Sequence, residues 1–219
     1  MLSRRTMIAL LATGAAAGGA ALFLPRVGGG GPVSFDLGAA HAQGSVAIPE
    51  MTLGDVNAPV KVVEYASYTC PHCADFHIGT FKDFQRDFID TGKVHFTYRE
   101  VFFDRYGLWA AMIARCAGPD RYFGVADLIY RSQGDWARQA DPVAVADSLK
   151  RIGLQAGLDA ATLDACLEDG AMAESLYAWY QENAARDNIR STPSFLIDGQ
   201  LHAGNMSLSQ LARLIDDAG

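Results

Sequence analysis

A chain of 219 residues, half of them apolar, can bury a full core and form one or two domains. Its 18 basic and 25 acidic residues give a net charge of −7, which argues against a nucleic-acid-binding surface, since that needs clustered Lys and Arg. The four cysteines, Cys70, Cys73, Cys116 and Cys166, form an even set, and no internal repeat or low-complexity tract follows the N-terminal segment.

Residues 1–42 read as an address rather than as part of a fold. Ser3-Arg4-Arg5-Thr6 is a short basic region with paired arginines. Residues 7–24 are apolar but rich in Ala and Gly, and Pro25 stops the run. Ala40-His41-Ala42 then supplies a small-x-small pattern before Gln43. The segment resembles a twin-arginine export signal cleaved near Ala42. The alternative is a retained membrane anchor over residues 7–24, at the short end of the spanning range. Gly14, Gly18 and Gly19 disfavour a buried soluble helix. Export would place the cysteines where disulfides form and persist.

Residues 43–59 form a short lead-in with turn signals, too short for a dimerisation domain. Residues 60–68, with Val60, Val62, Val63 and Tyr65, predict a buried strand. Glu64 is the anomaly in that run. It is either an edge-strand carboxylate facing water or a buried acid that moves protons to and from a nearby thiol.

Cys70-Pro71-His72-Cys73 follows this strand and opens a helix, the position of a redox-active dithiol. A thiol there faces unpaired backbone N–H groups and the positive end of the helix dipole, so its thiolate is favoured. Two intervening residues let the second sulfur fold back and close a small ring. Pro71 fits the first helical position, where its missing N–H costs nothing. Ala74, Ile78, Phe81, Phe84 and Phe88 recur at helical spacing as a core face, and Gly92 supplies the stop. Val94, Phe96 and Tyr98 alternate with polar residues, so strand, helix and strand predict a parallel βαβ unit.

From residue 105 to 187 the apolar period becomes helical. Leu108, Trp109, Met112, Ile113 and Cys116 mark one helix face, and Tyr122, Val125, Ala126 and Ile129 a second behind Asp120 as cap. Asp141-Pro142 opens a third helix that Gly153 ends, Asp159 opens a fourth, and Met172, Leu176, Trp179 and Tyr180 outline the last. Residues 194–197 then predict a strand, Asp198-Gly199 a hairpin turn, and residues 200–203 its partner. Ser207 caps a terminal helix with Leu208, Leu211, Leu214 and Ile215 inward.

Thr192-Pro193 enters the late strand from the helical block, and proline is a poor central-strand residue. Together with Glu64 to Cys73, the helical block and Thr192-Pro193-Ser194-Phe195, it resembles the DsbA-like thiol:disulfide oxidoreductases of the thioredoxin superfamily. The resemblance implies an α/β thioredoxin fold (60–104 and 188–219) interrupted by an all-helical domain (105–187). It implies a periplasmic, monomeric enzyme without a bound cofactor or metal. Its substrates would be reduced exported proteins, and a membrane partner would re-oxidise it. Cys70 carries over as the nucleophile and Cys73 as the resolving thiol. His72 carries over as the residue that stabilises the Cys70 thiolate, and Glu64 as the buried acid. Pro193 would be a cis-proline, with the Thr192 backbone pairing with substrate. Cys116 and Cys166 resemble a second pair found in part of the family, which an exported setting favours as a structural disulfide. Thr192 stands where the best-known oxidases carry Val, which keeps an isomerase or reductase open. A zinc or copper site using Cys70, Cys73, His72 and His77 is the rival from another class.

Overall fold

The structure is a computed structural model that describes residues 46–219. The expected export signal over residues 1–42 and its expected cleavage near Ala42 lie outside the described residues.

Five strands form one mixed sheet in the order β1-β3-β2-β4-β5. Its centre is β2 (Val60–Ala66), parallel to β3 (Val94–Glu100) and antiparallel to β4 (Ser194–Ile197). The Val-rich run of β2 suits a strand paired on both sides, and Val60, Val62, Tyr65 and Ala66 are all buried. The lead-in holds an edge strand, β1 (Met51–Leu53), antiparallel to β3. Three residues are too few to show a period, so this strand was invisible in the sequence. β5 (Gln200–Ala203) forms the other edge through a two-residue turn. Asp198 and Gly199 both adopt positive φ there (43° and 81°), as an Asp-Gly hairpin requires.

The helical run after the dithiol is broken. α1 (Pro71–Ile78) ends at Gly79, α2 spans Thr80–Phe84, and Gln85–Ile89 is a π-helical turn. Gly79 has φ −97° and ψ −93°, outside the helical region, so the two pieces present different faces. Ile78, expected inward, is therefore 45% exposed, whereas His77 is buried. Phe81, Phe84 and Phe88 do pack inward, against Phe96 of β3 and one another.

Between β3 and β4 the chain is helical: α3 (Arg105–Cys116), α4 (Pro119–Arg131), α5 (Gln133–Trp136), α6 (Pro142–Gln155), α7 (Ala160–Glu168) and α8 (Gly170–Arg186). Asp141 and Asp159 cap α6 and α7 as expected, accepting from Val143 and Thr162 N–H. Two expectations fail. α4 starts behind Gly118 with Pro119 first, so Asp120 sits inside the first turn rather than capping it. Gly153 lies within α6, and the chain leaves that helix through Gly157 at φ +82°. Gly153 instead gives α7 room: a Cβ there would come within 2.3 Å of Leu163 Cδ2. α9 (Leu208–Ala218) closes the chain with the Ser207–Gln210 capping box, burying Leu211 and Ile215.

A buried polar group joins this helical block to the sheet. Arg115 of α3 donates Nε and Nη2 to the two carboxylate oxygens of Glu100, each at 2.7 Å. Tyr122 Oη donates to Glu100 Oε1 at 2.7 Å and accepts from Tyr68 Oη at 3.0 Å. Glu100 is 1% exposed, so only this full pairing makes its charge tolerable there.

Candidate active site

Two elements bring the site together. β2 runs into the turn Ser67–Cys70, and α1 begins at once with Pro71. Opposite, the register Glu64↔Phe195 and Tyr65↔Ser194 sets the loop before β4 beside that turn. The Thr192–Pro193 peptide in this loop is cis. Cys70 Sγ lies 3.5 Å from the Thr192 carbonyl oxygen, a contact between residues 122 apart in sequence.

Cys70 is the N-cap of α1 with extended backbone (φ −83°, ψ 119°), and its side chain caps no N–H. The sulfur is left to meet the first-turn amides. Its pKa is lowered to about 5, first by the hydrogen bond with the Cys73 thiol, against the opposing effect of burial. The Thr192 hydroxyl and the backbone N–H groups of Cys73 and His72 act in the same direction. Thr192 Oγ1 is buried and otherwise unpaired, which leaves it available to a thiolate. Cys73 is fully buried, and burial pushes its thiol up, with Cys70 and the Glu64 carboxylate adding to the rise. The arrangement thus favours the thiolate at Cys70 and the thiol at Cys73.

His72 contributes through its backbone. Its side chain is 74% exposed, with Nδ1 3.8 Å from Asp75 Oδ2. Glu64 is fully buried at the centre of the sheet, not on an edge facing water. Its carboxylate meets His77 Nε2 at 3.1 Å (Oε1) and 3.0 Å (Oε2). With His77 engaged there and His72 exposed, the Cys and His residues do not converge as metal ligands. Among the described residues no group of three His, Cys, Asp or Glu side chains could hold a metal ion.

Three further residues shape the site. Gln133 of α5 donates Nε2 to the carbonyl oxygens of Tyr68 (2.8 Å) and Cys70 (2.9 Å). Asp104 caps α3 through Tyr106 and Gly107 N–H, and its other oxygen accepts from Thr69 Oγ1 at 2.8 Å. His77 lies one turn past Cys73 on the same buried face of α1. Asp104 was missed from the sequence, where its signal was a cap residue before a helical period. His77 was named there only as a metal ligand, although its i, i+4 spacing from Cys73 was the signal for this role. Gln133 left no signal.

Away from the dithiol, Cys116 and Cys166 are disulfide-bonded, tying α3 to α7 with Cα atoms 6.3 Å apart.

Residues 47–217 match the family described as Thioredoxin. A chain of Rickettsia felis, provisionally described as a protein-disulfide oxidoreductase, is 32% identical over 170 residues, covering 77% of this chain and 60% of its own. This chain thus spans about three fifths of the length of the curated relatives it matches. Among solved structures, Wolbachia pipientis alpha-DsbA1 superposes with a TM-score of 0.73 at 26% identity, covering 80% of this chain and 92% of that one. A protein-disulfide isomerase from Novosphingobium aromaticivorans gives 0.67 at 30% identity, covering 77% and 99%. Sheet order, helical insertion, dithiol and family match agree, and the chain belongs to the DsbA-like thiol:disulfide oxidoreductase family of the thioredoxin superfamily.

Proposed function

We propose that this protein is an exported thiol:disulfide oxidoreductase that transfers the Cys70–Cys73 disulfide to reduced proteins. The observation that carries the reading is the asymmetric placement of the two sulfurs: Cys70 at the start of α1 beside the Thr192 carbonyl, its pKa lowered, and Cys73 fully buried, which raises its own. A stabilised thiolate stabilises the reduced protein, which makes its disulfide oxidising.

In the forward step a substrate thiolate attacks Cys70 Sγ, the Cys70–Cys73 bond breaks, and Cys73 leaves as a thiolate that takes a proton, with Glu64 as the donor. A second substrate thiolate then attacks the mixed disulfide and releases Cys70, held as the thiolate by His72 N–H and the start of α1 at Pro71. The Thr192–Pro193 loop pairs with the extended substrate backbone. The Cys116–Cys166 bond is structural. No cofactor enters. A membrane redox partner regenerates the disulfide, and the protein acts as a monomer in the periplasm once residues 1–42 are removed. Thioredoxin segments 60–104 and 188–219 carry the chemistry, 43–59 leads in, and the helical segment 105–187 frames the approach.

The reduction potential of the dithiol tests the direction. A value near the about −120 mV of strong oxidants fits the proposal, and one near the about −270 mV of reductants overturns it. Thr192, in place of Val before the proline, favours isomerase or reductase work on the same site as the second reading. A mostly reduced Cys70–Cys73 pair in the cell would select it.

A further inference from the structure

The proposed exchange leaves one demand unmet. Cys73 must gain a proton when it leaves the disulfide and lose one when the disulfide reforms, yet Cys73 and Glu64 are each 0% exposed. A carboxylate sealed from water can serve once and must then be recharged.

The geometry points to His77 as the outer member of a proton relay that connects Cys73, through Glu64, to a water-accessible cavity between α2 and α4. This rests on the exchange reading above. His77 sits one turn past Cys73 on the same face of α1, and its Nε2 contacts both oxygens of Glu64. Glu64 Oε2 has no well-formed hydrogen bond, so that oxygen retains a free lone pair for a proton. The opposite side of His77 lines a cavity of about 250 Å3, with Phe81, Lys82, Gln85, Phe123, Ala126 and Asp127 as its other main walls. Such a space holds several water molecules and supplies polar partners for them. Lys82 Nζ and Asp127 Oδ1 meet at 2.7 Å beside it, both partly exposed, so it communicates with solvent. Its floor at His77 lies about 10 Å along the helix from Cys70, so protons and the substrate sulfur take separate routes.

The groups facing His77 suit this role. Tyr130 of α4 stacks on the imidazole at 4.4 Å and 10°, and Tyr98 of β3 meets it edge-on at 5.5 Å. Their hydroxyls bond each other at 2.6 Å, and burial holds both well above the ordinary tyrosine value, so they stay protonated. Phe76 and Phe81 complete the cage. The charged or titratable neighbours are therefore Glu64 on one side, Lys82 and Asp127 across the cavity, and Cys73 on the same helix face. Imidazole is the side chain that both accepts and gives up a proton near neutral pH.

The step balances as follows. The substrate thiolate bonds to Cys70 Sγ and the Cys70–Cys73 bond breaks, its electron pair going to Cys73 Sγ. Protonated Glu64, whose carboxylate charge acts on Cys73, gives up a proton that reaches that sulfur through one intervening water, imidazolium His77 returns one to Glu64, and cavity water reprotonates His77. Reoxidation runs the same protons outward.

The test is the rate at which oxidised full-length protein reacts with a cysteine-containing peptide, followed by stopped flow from pH 5 to 8. His77→Gln should slow the reaction about tenfold or more and flatten its pH profile. His77→Ala should do the same and recover with added imidazole in a concentration-dependent way, which a packing defect would not. Wild-type rates and profile in both variants, or slowing that imidazole does not rescue, would overturn the relay. If neither variant folds, the wild type decides in mixtures of light and heavy water. A curved proton inventory supports more than one moving proton, and a linear one rejects the relay. Cys70→Ser separates the two ideas: persistence of exchange there sinks the oxidoreductase reading itself, whereas its loss alongside unaffected His77 variants sinks the relay alone.

Discussion

Gln133, from the helical insertion, holds the carbonyl oxygen of Cys70 at 2.9 Å while the same nitrogen reaches the Tyr68 carbonyl at 2.8 Å. The amide spans the turn that delivers the nucleophile, so the inserted helices set the geometry of a site whose cysteines lie elsewhere. Gln133→Ala leaves the buried Tyr68 carbonyl without this donor and should cost about 1–3 kcal/mol of stability. Denaturant unfolding of the reduced protein measures this, and a loss under about 0.5 kcal/mol would mean the clamp is idle.

The depressed Cys70 thiol makes a signed prediction. Its folded-state value, about 5, lies below the roughly 8.5 of a free thiol, so it stabilises the reduced protein fully above pH 8.5. That advantage shrinks as the pH falls and is gone below about 5. Near pH 7 it is on the order of 3 kcal/mol. The oxidised protein has no such group. Unfolding of both forms at pH 4, 6 and 8 should show the reduced form losing ground to the oxidised form with acid. A difference that stays constant across that range would contradict the assignment of Cys70 as the low-pKa sulfur.

The dithiol, its place between strand and helix, and the proline loop were legible in the sequence because each is local. Cys70 to Cys73 share one turn, Pro71 marks a helix start, and Thr192-Pro193 marks a strand entry. The surroundings were less legible because they depend on how a helix bends and which distant segment returns. The helix breaks at Gly79, so the downstream phenylalanines do not continue the face that carries Ile78, and no periodicity count anticipates that break. Gln133 acts across more than sixty residues and has no motif at all. Glu64 illustrates the same limit: its sequence neighbours suggested a strand, but only the sheet order shows that the strand is central.

Arg115 and Glu100 supply a stability prediction. Arg115→Leu strands the Glu100 carboxylate at 1% exposure, with the Tyr122 hydroxyl as its remaining side-chain donor, and should cost about 3–5 kcal/mol. Adding Glu100→Gln should recover part of that loss, since the stranded charge rather than the missing contact is the main penalty. Thermal unfolding of the single and double variants checks this. A double variant as unstable as the two losses summed would refute it.

The Cys116–Cys166 bond closes a loop across 50 positions of sequence. Replacing both cysteines by alanine should lower stability by about 3–4 kcal/mol through the freed unfolded chain. The Cys70 thiolate titration should not move. An unchanged denaturation midpoint would show that the bridge holds nothing together.

The contact between Cys70 and Thr192 has a consequence for how the chain becomes competent. The dithiol emerges early in synthesis, but the loop that completes its surroundings arrives 122 residues later. A product truncated anywhere in that interval still carries Cys-Pro-His-Cys and can still form its small ring. It lacks the late loop that flanks the nucleophile. Such a fragment is a reactive thiol pair with no means of selecting what it reacts with, and competence arrives only with the Thr192–Pro193 loop.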